Sequence, residues 1–273
     1  MEKGIKASVV IPTYNRSKLA LNAAKIIRSF HPDIQITIVD QQDSSSLDPI
    51  LANELGVKLI SIDTINTSLA KNRGVEESKG DIVFFFDDDI EITKNTIPSQ
   101  LNEYADPNVV GTCGRVHNDN EVIPEDAFVD TGKINFLGTE FIQKFWSTKK
   151  QYIDFPYGCN MSFRKSTLLK AGMFDPGFPK IFEEVDLGVR ISRRLGKIAF
   201  VPATLAYHHK APSGGTRTNM EGKMRMIYYH YGRYMSKHVL FPFSLITLFL
   251  RTVTVIKKCS YAWKDLYRGY FRL

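Results

Sequence analysis

Residues 81–90 read DIVFFFDDDI. Five apolar residues run directly into three consecutive aspartates. A continuous apolar run of this length is the pattern of a strand buried on both faces. Adjacent carboxylates repel one another, and a turn or a helix cap needs only one. The pattern therefore predicts a strand that carries negative charge to a place where something positive binds.

The preceding residues supply the rest of a sheet. ASVVI (7–11), IQITIV (34–39) and residues 57–62 read as further strands, with Asp81–Phe86 the fourth. Between them lie a helix from Arg16 to Phe30, with Leu19, Ala23, Ile26, Ile27 and Phe30 on one face, a short helix over 47–55, and a helix from Ser68, its expected cap, through Ser78. Strands alternating with helices predict an α/β fold with a mainly parallel sheet flanked by helices on both faces. Ligands of such sheets bind beyond the carboxyl ends of the strands. Those ends carry Pro12-Thr13-Tyr14-Asn15-Arg16, then Asp40, then Asp63, then Asp87-Asp88-Asp89. Three strands thus deliver carboxylates to one edge, a donor set suited to Mg²⁺ or Mn²⁺ shared with substrate phosphates. Arg16, Lys71 and Arg73 are the candidate phosphate-binding cations. Neither GxxxxGK[ST] nor GxGxxG occurs, and the EF-hand spacing is missing.

The chain has 273 residues and an ordinary globular composition, 43% hydrophobic and 24% charged. Its three cysteines, Cys113, Cys159 and Cys259, show no CxxC spacing, which disfavours a zinc site or a disulfide framework. The apolar run at the N-terminus is too short for a signal peptide, so a cytoplasmic location is expected. Charge is uneven. Twelve Lys and Arg and two Asp and Glu lie from Lys210 onward, a net of +10, whereas residues 1–209 hold 24 basic and 27 acidic residues. The basic tail contains VLFPFSLITLFLRTVTVI (239–256), shorter than the ~20 apolar residues of a membrane span and broken by Arg251. With Arg233, Lys237, Lys257, Lys258 and Trp263 around it, it reads as a helix lying in a membrane interface; packing on the catalytic domain or in a dimer is the alternative. A nucleic-acid partner would leave the aspartates unexplained.

SVVIPTYNR, IVDQQ, LAKNRG, FFFDDDI, GCNMSFRKS, FEEVDLGVR and YHH, in this order, resemble the family-2 inverting glycosyltransferases of GT-A fold, over about Ala7–Gly215. The resemblance implies a catalytic domain at 1–215, with a nucleotide-binding half to about 116 and an acceptor-binding half over 117–215, and a helical tail at 216–273. It implies a nucleotide-sugar donor, UDP- or dTDP-linked, held by Pro12, Thr13, Tyr14, Arg16, Asp40, Lys71, Asn72, Asp87 and Asp88. Asp87 and Asp89 form its DxD motif, and His208 completes the metal shell, with His209 as the neighbouring alternative. Gly158, Asn160 and Glu183 line the donor sugar and acceptor, a glycan or lipid-linked hydroxyl. The family's base lies in an acidic pair that reads Glu183-Glu184 here, where an ED pair is usual. A stripe of Glu184, Leu187, Ile191 and Leu195 places Glu184 at a core-facing helix start, where the helix dipole favours the ionised base. Asp186, about 160° away, has Arg190 as an i,i+4 partner and reads as a surface ion pair or as the alternative base. A bacterial surface-glycan enzyme, peripheral at the inner face of the cell membrane, is the implied setting. A sugar nucleotidyltransferase, or an inactive binding protein of the same fold, are the competing readings.

Overall fold

The computed structural model describes residues 5–41, 49–210 and 219–272. Its nucleus is the expected set of parallel strands: β1 (Ala7–Thr13), β2 (Gln35–Asp40), β3 (Val57–Ser61) and β4 (Ile82–Phe86). They are ordered β3-β2-β1-β4, joined by α1 (Ser17–Phe30), α2 (Pro49–Glu54) and α3 (Thr67–Glu77). All five β4 residues are buried completely, alternating between two cores. Val83 and Phe85 face one, Ile82, Phe84 and Phe86 the other. Each Phe contributes about 1.5–3 kcal/mol of burial, which is why this strand tolerates no polar residue before Asp87.

Beyond β4 the sheet departs from the parallel pattern. The further elements are β5 (Ile90–Ile92), α4 (Thr96–Glu103), β6 (Val109–Asn118), β7 (Lys133–Ile134), β8 (Phe141–Ile142), β9 (Gln151–Ile153), β10 (Asn160–Arg164), α5 (Lys165–Lys170), α6 (Glu183–Arg194) and β11 (Lys197–His208). The large sheet continues β4-β10-β6-β11-β5, with β9 also on β11. β10 runs antiparallel to both β4 and β6, and β5 antiparallel to β11. The sheet is therefore mixed. Residues 117–156, the first part of the expected acceptor-binding half, form a packing layer. It holds the β7–β8 hairpin, and Phe141 meets Phe155, Phe182, Tyr231 and Tyr234 edge-on.

Two local expectations change. The N-cap of α3 is Asn66, whose side chain accepts from Leu69 N, while the Ser68 hydroxyl donates to Phe178 O. Asp63 ends up exposed and outside the cleft described below. The start of the short helix at 47–48, and the boundary at 215/216, lie outside the described residues.

The tail forms α7 (Met220–His238), α8 (Phe243–Cys259), a 3-10 turn (Ser260–Ala262) and α9 (Trp263–Phe271). Tyr231, Tyr234 and Met235 of α7 are buried in the same core as β4, α3 and α6. Among the described residues, no helix is long and apolar enough to cross a membrane.

Candidate active site

The carboxyl ends of β1, β2 and β4 meet as parallel-sheet topology requires, with Thr13 level with Asp40. β1 breaks off into Asn15, in the left-handed region at φ 54°, and this turn brings Arg16 back over the acid triplet. The Arg16 guanidinium lies 2.8 Å from Asp88 Oδ1 and 3.0 Å from Asp89 Oδ2. The antiparallel β5–β11 pairing sets Ile90 opposite His208. His208 is thereby delivered to Asp89 from 119 residues away, Nε2 to Oδ1 at 3.1 Å. Ligand atoms of Asp87, Asp89 and His208 all lie within 4.8 Å of one another. His209 turns the other way, to Glu91 and Asp119, so His208 is the one of the pair that faces the aspartates. Arg16 is thus a cation that meets the aspartate run in this structure, and the His208 imidazole faces it from β11.

This donor set fits a hard divalent cation. Two carboxylates and an imidazole face one point, and the far ring nitrogen of His208 is 3.1 Å from Asn118 Oδ1. Donation from Nδ1–H to that oxygen leaves the Nε2 lone pair for a metal, the usual outer-shell arrangement. Burial lowers the His208 pKa, but the Asp89 hydrogen bond and the Asp87 and Asp89 charges outweigh it and raise it overall.

Asp88 does not face the cleft. Its carboxyl is buried, accepts from Thr13 Oγ1 at 2.7 Å, and holds Arg16. Burial pushes its pKa up to about 7, against the opposing pull of Arg16 and the Thr13 hydrogen bond. It reaches a ligand only through those two residues, which corrects its reading as a direct nucleotide contact. Asn72 is likewise engaged elsewhere: its amide bonds to both the N–H and the C=O of Phe174. Asn160 is fully buried, accepts from Gln100 and donates to Arg115 O, in a polar network with Thr112 and Ser162. It lines no cleft.

Lys71 is the opposite surprise. It stands on α3, which lies so close to β1 that a Cβ at Gly74 would come within 2.2 Å of Val10. Lys71 is therefore buried, 1% exposed, with Nζ 2.9 Å from Glu183 Oε1 and over the Phe174 ring. Burial disfavours its charge, yet Glu183, Asp87 and Glu184 reverse this and raise its pKa. Arg73, one face away, pairs with Glu76 and Glu77 in solvent and has no part in the site.

α6 begins at Glu183 after Phe182, whose φ of 69° turns the chain sharply into the helix. Glu183 is buried against Lys71, while Glu184 is only partly buried. A Cβ at Gly158 would stand 3.5 Å from Lys71 Nζ and 3.7 Å from Glu184 Cγ, so the Gly158 backbone faces both. Burial, then the neighbouring Glu183 charge, raise the Glu184 pKa well above the carboxylate range. Desolvation and the like charge of Glu183 thus act against the helix dipole, whose favourable effect on an ionised Glu184 is about 0.3–1 kcal/mol.

Asp186 is not a surface residue. Its carboxyl is fully buried among Arg190, Lys237 and His238, with contacts of 2.7–2.9 Å. Leu195, expected in the buried stripe, is 37% exposed, whereas Leu187 and Ile191 are fully buried.

Pro12, Thr13, Tyr14, Arg16, Asp87 and Glu183 line one cleft at this edge. Asp40 is buried at the end of β2 beside it. Gln41, Ile65, Thr67 and Lys180 also line the cleft and were missed. Gln41 directly follows the Asp40 already singled out, and Lys180 lies three residues before the acidic pair, so both were within reach. Ile65 and Thr67 carry no chemical signal.

A mixed sheet of this order, with an Asp-Asp-His cluster at the edge of its parallel half, has the fold of GT-A-type glycosyltransferases. GalNAc-T7, solved with UDP, GalNAc and Mn²⁺, superposes with a TM-score of 0.65 at 16% identity, covering 98% of this chain and 59% of that one. The Glycosyl transferase family 2 model matches residues 8–170, and the chain belongs to that family. The amylovoran biosynthesis glycosyltransferase AmsB of Erwinia amylovora is 22% identical over 232 residues, 79% of this chain and 73% of that protein. An uncharacterised glycosyltransferase of Rickettsia conorii is 29% identical over 120 residues, 42% of this chain; the match spans only 20% of that longer protein.

Proposed function

We propose that this glycosyltransferase moves a sugar from a UDP- or dTDP-sugar to a hydroxyl of a glycan or lipid-linked acceptor, with inversion, in one metal-assisted displacement. The observation that carries the reading is the convergence of Asp87, Asp89 and His208 at a cleft that also presents Glu183. Asp87, Asp89 and His208 would hold Mn²⁺ or Mg²⁺. The bound ion would supply charge neutralisation for the diphosphate leaving group.

The chain's own residues do the rest. Residues 1–116 present the nucleotide site, where Pro12, Thr13 and Tyr14 form the wall and Asp40 accepts from the imide N–H of uracil or thymine. Arg16 pairs with Asp88 and Asp89, and the Lys71 charge acts on Asp87. Lys71 also holds Glu183 in place, leaving Glu184 beside the Gly158 backbone to meet the acceptor. Glu184 removes the acceptor proton as the oxygen bonds to the anomeric carbon and the bond to the diphosphate breaks. Its raised pKa makes it a stronger base once deprotonated. Residues 117–215 supply the acceptor side, and residues 216–273 form a tail in peripheral contact with an anionic membrane at the cytoplasmic face.

Asp89→Ala tests this reading. Donor turnover and metal-dependent nucleotide binding should both be lost, with an unchanged circular dichroism spectrum, because no β4 core residue is altered. Full turnover of the wild type in excess chelator would refute the metal-assisted mechanism.

A further inference from the structure

α8 is apolar on more than its inner face. Along a surface helix the apolar stripe normally faces the core and polar residues face water. Here the inner face mixes buried Leu248 and Val255 with hydrogen-bonded polar residues. The Ser244 hydroxyl bonds Tyr270 OH at 2.8 Å, Thr247 donates to Leu137 O at 2.9 Å, and Arg251 donates to Tyr231 OH at 3.1 Å. The outward arc consists of Phe243, Leu245, Ile246, Phe249, Leu250 and Val253, every one exposed, with Phe249 at 67%. The patch extends past the helix. Phe241 is 77% exposed in the turn before it, and Phe136, 71% exposed at the β7–β8 hairpin, meets Phe243 edge-on at 5.2 Å. Contiguous exposed apolar surface of this kind marks an interaction site.

We infer that the outer arc of α8, with Phe241 and the Phe136 hairpin tip, inserts into the acyl boundary of a bilayer carrying anionic headgroups. The inference rests on the membrane-facing reading of the tail proposed above and names the surface that makes the contact. Charge chooses the occupant. Residues 239–259 contain no Asp or Glu, and Lys257 and Lys258 are exposed at the end of the arc. Lys264, Arg268 and Arg272 of the following segment are exposed as well. An apolar face rimmed by cations is the arrangement of a helix lying in the plane of an anionic interface. A second copy would offer the same cations and no carboxylate from 239–259, so pairing this face with itself gains no charge complementarity, whereas anionic headgroups supply it. At 17 residues α8 is too short for a span, so it lies along the surface.

Phe136 makes the contact more than a tether. Its hairpin belongs to the transferase unit and is tied to the tail through Tyr231 OH to Gly138 O at 2.7 Å as well as through Thr247. The same body carries Phe141, which packs on Phe182 at the start of α6. Insertion of both parts would fix the orientation of the transfer site to the bilayer, where a lipid-linked acceptor would be presented.

The test is flotation of the full chain with vesicles of phosphatidylcholine, with and without phosphatidylglycerol, beside Phe249→Glu, Phe136→Ser and the Lys257→Glu/Lys258→Glu pair. All these residues are solvent-exposed, and thermal melts verify that each variant folds. The wild type should float with the anionic vesicles. Phe249→Glu should weaken partition roughly tenfold or more, the equivalent of withdrawing one phenylalanine from an apolar phase, and Phe136→Ser should weaken it severalfold. Flotation that survives both Phe variants but not the lysine pair would mean adsorption by charge alone; it overturns the insertion surface and leaves the membrane reading standing. A wild type that ignores vesicles at low salt overturns both. If light scattering then shows a dimer that Phe249→Glu dissolves, a second copy covers the face.

Discussion

The aspartate run after β4 and the Asp186 cluster beneath α7 are made of the same parts, carboxylates facing Arg, Lys and His, and they are finished differently. At Asp186 every side of the carboxyl is taken. Arg190 grips Oδ2, Lys237 and His238 grip Oδ1, and the group is sealed from solvent. Burial works against the charge there, but the His238 hydrogen bond and the Arg190 and Lys237 charges prevail and hold the pKa far below the carboxylate range. At the β4 edge five carboxylates, Asp87, Asp88, Asp89, Glu183 and Glu184, share Arg16, Lys71 and His208. Asp87 keeps a side chain 35% exposed, with His208 at 3.9 Å, and burial raises its pKa despite Lys71 and His208. A saturated cluster stabilises a fold, and an unsaturated one is left ready for a ligand. Helix α6 holds both conditions two residues apart, with Glu184 raised and Asp186 lowered.

This contrast can be broken from either side. Asp186→Asn should have the largest effect on stability. It leaves Arg190, Lys237 and His238 around a neutral group, and breaking a buried ion pair costs about 3–5 kcal/mol. Chemical denaturation at neutral pH measures it, and the surviving folded fraction should keep nucleotide affinity. Glu184→Gln should do the reverse: transfer falls ~10²-fold or more, the scale of lost general-base help, with donor affinity and unfolding midpoint nearly unchanged. Near-normal transfer by Glu184→Gln beside a folded but inactive Asp186→Asn would move the base to Asp186.

The acid limb of stability separates the two further. The folded Asp186 pKa is depressed, so its contribution is complete above the unfolded value of about 3.9 and is lost as pH falls below it, when the unfolded chain takes up the proton first. Wild-type stability should therefore fall between about pH 4 and pH 2 more steeply than that of Asp186→Asn, in denaturant titrations at each pH. Parallel curves would show that Asp186 is not the acid-sensitive group. The smallest effect belongs to Arg73→Ala. Its pairs with Glu76 and Glu77 are exposed and screened by solvent, so removing them should leave the unfolding midpoint nearly unchanged. A loss of donor binding in that variant would return Arg73 to the site.

The parallel half of the fold was legible because its signals are local. A run such as IVFFF can only be buried, and the residue after each such strand must emerge at the carboxyl edge. Pro12, Thr13, Tyr14, Arg16 and Asp87 line the cleft as that rule has it, whereas Asp63, placed there by the same rule, does not. The choice of His208 over His209 was not available from sequence. Adjacent residues on a strand point to opposite faces, and only the β5–β11 register shows which one meets Asp89.

Burial decided the remaining cases. On a helical wheel Lys71 and Arg73 look alike, yet one is sealed against Phe174 and the other faces water, because α3 turns its Gly74 face to β1. Asp186 and Arg190 look like a surface i,i+4 pair until α7, more than 40 residues later, covers them with Lys237 and His238. Sequence by itself determined which residues carry charge and which strands carry them to one edge. Tertiary structure decided which of those charges are neutralised, because a wheel or a strand pattern describes one element, while the partners that desolvate or balance a carboxylate arrive from elements far along the chain.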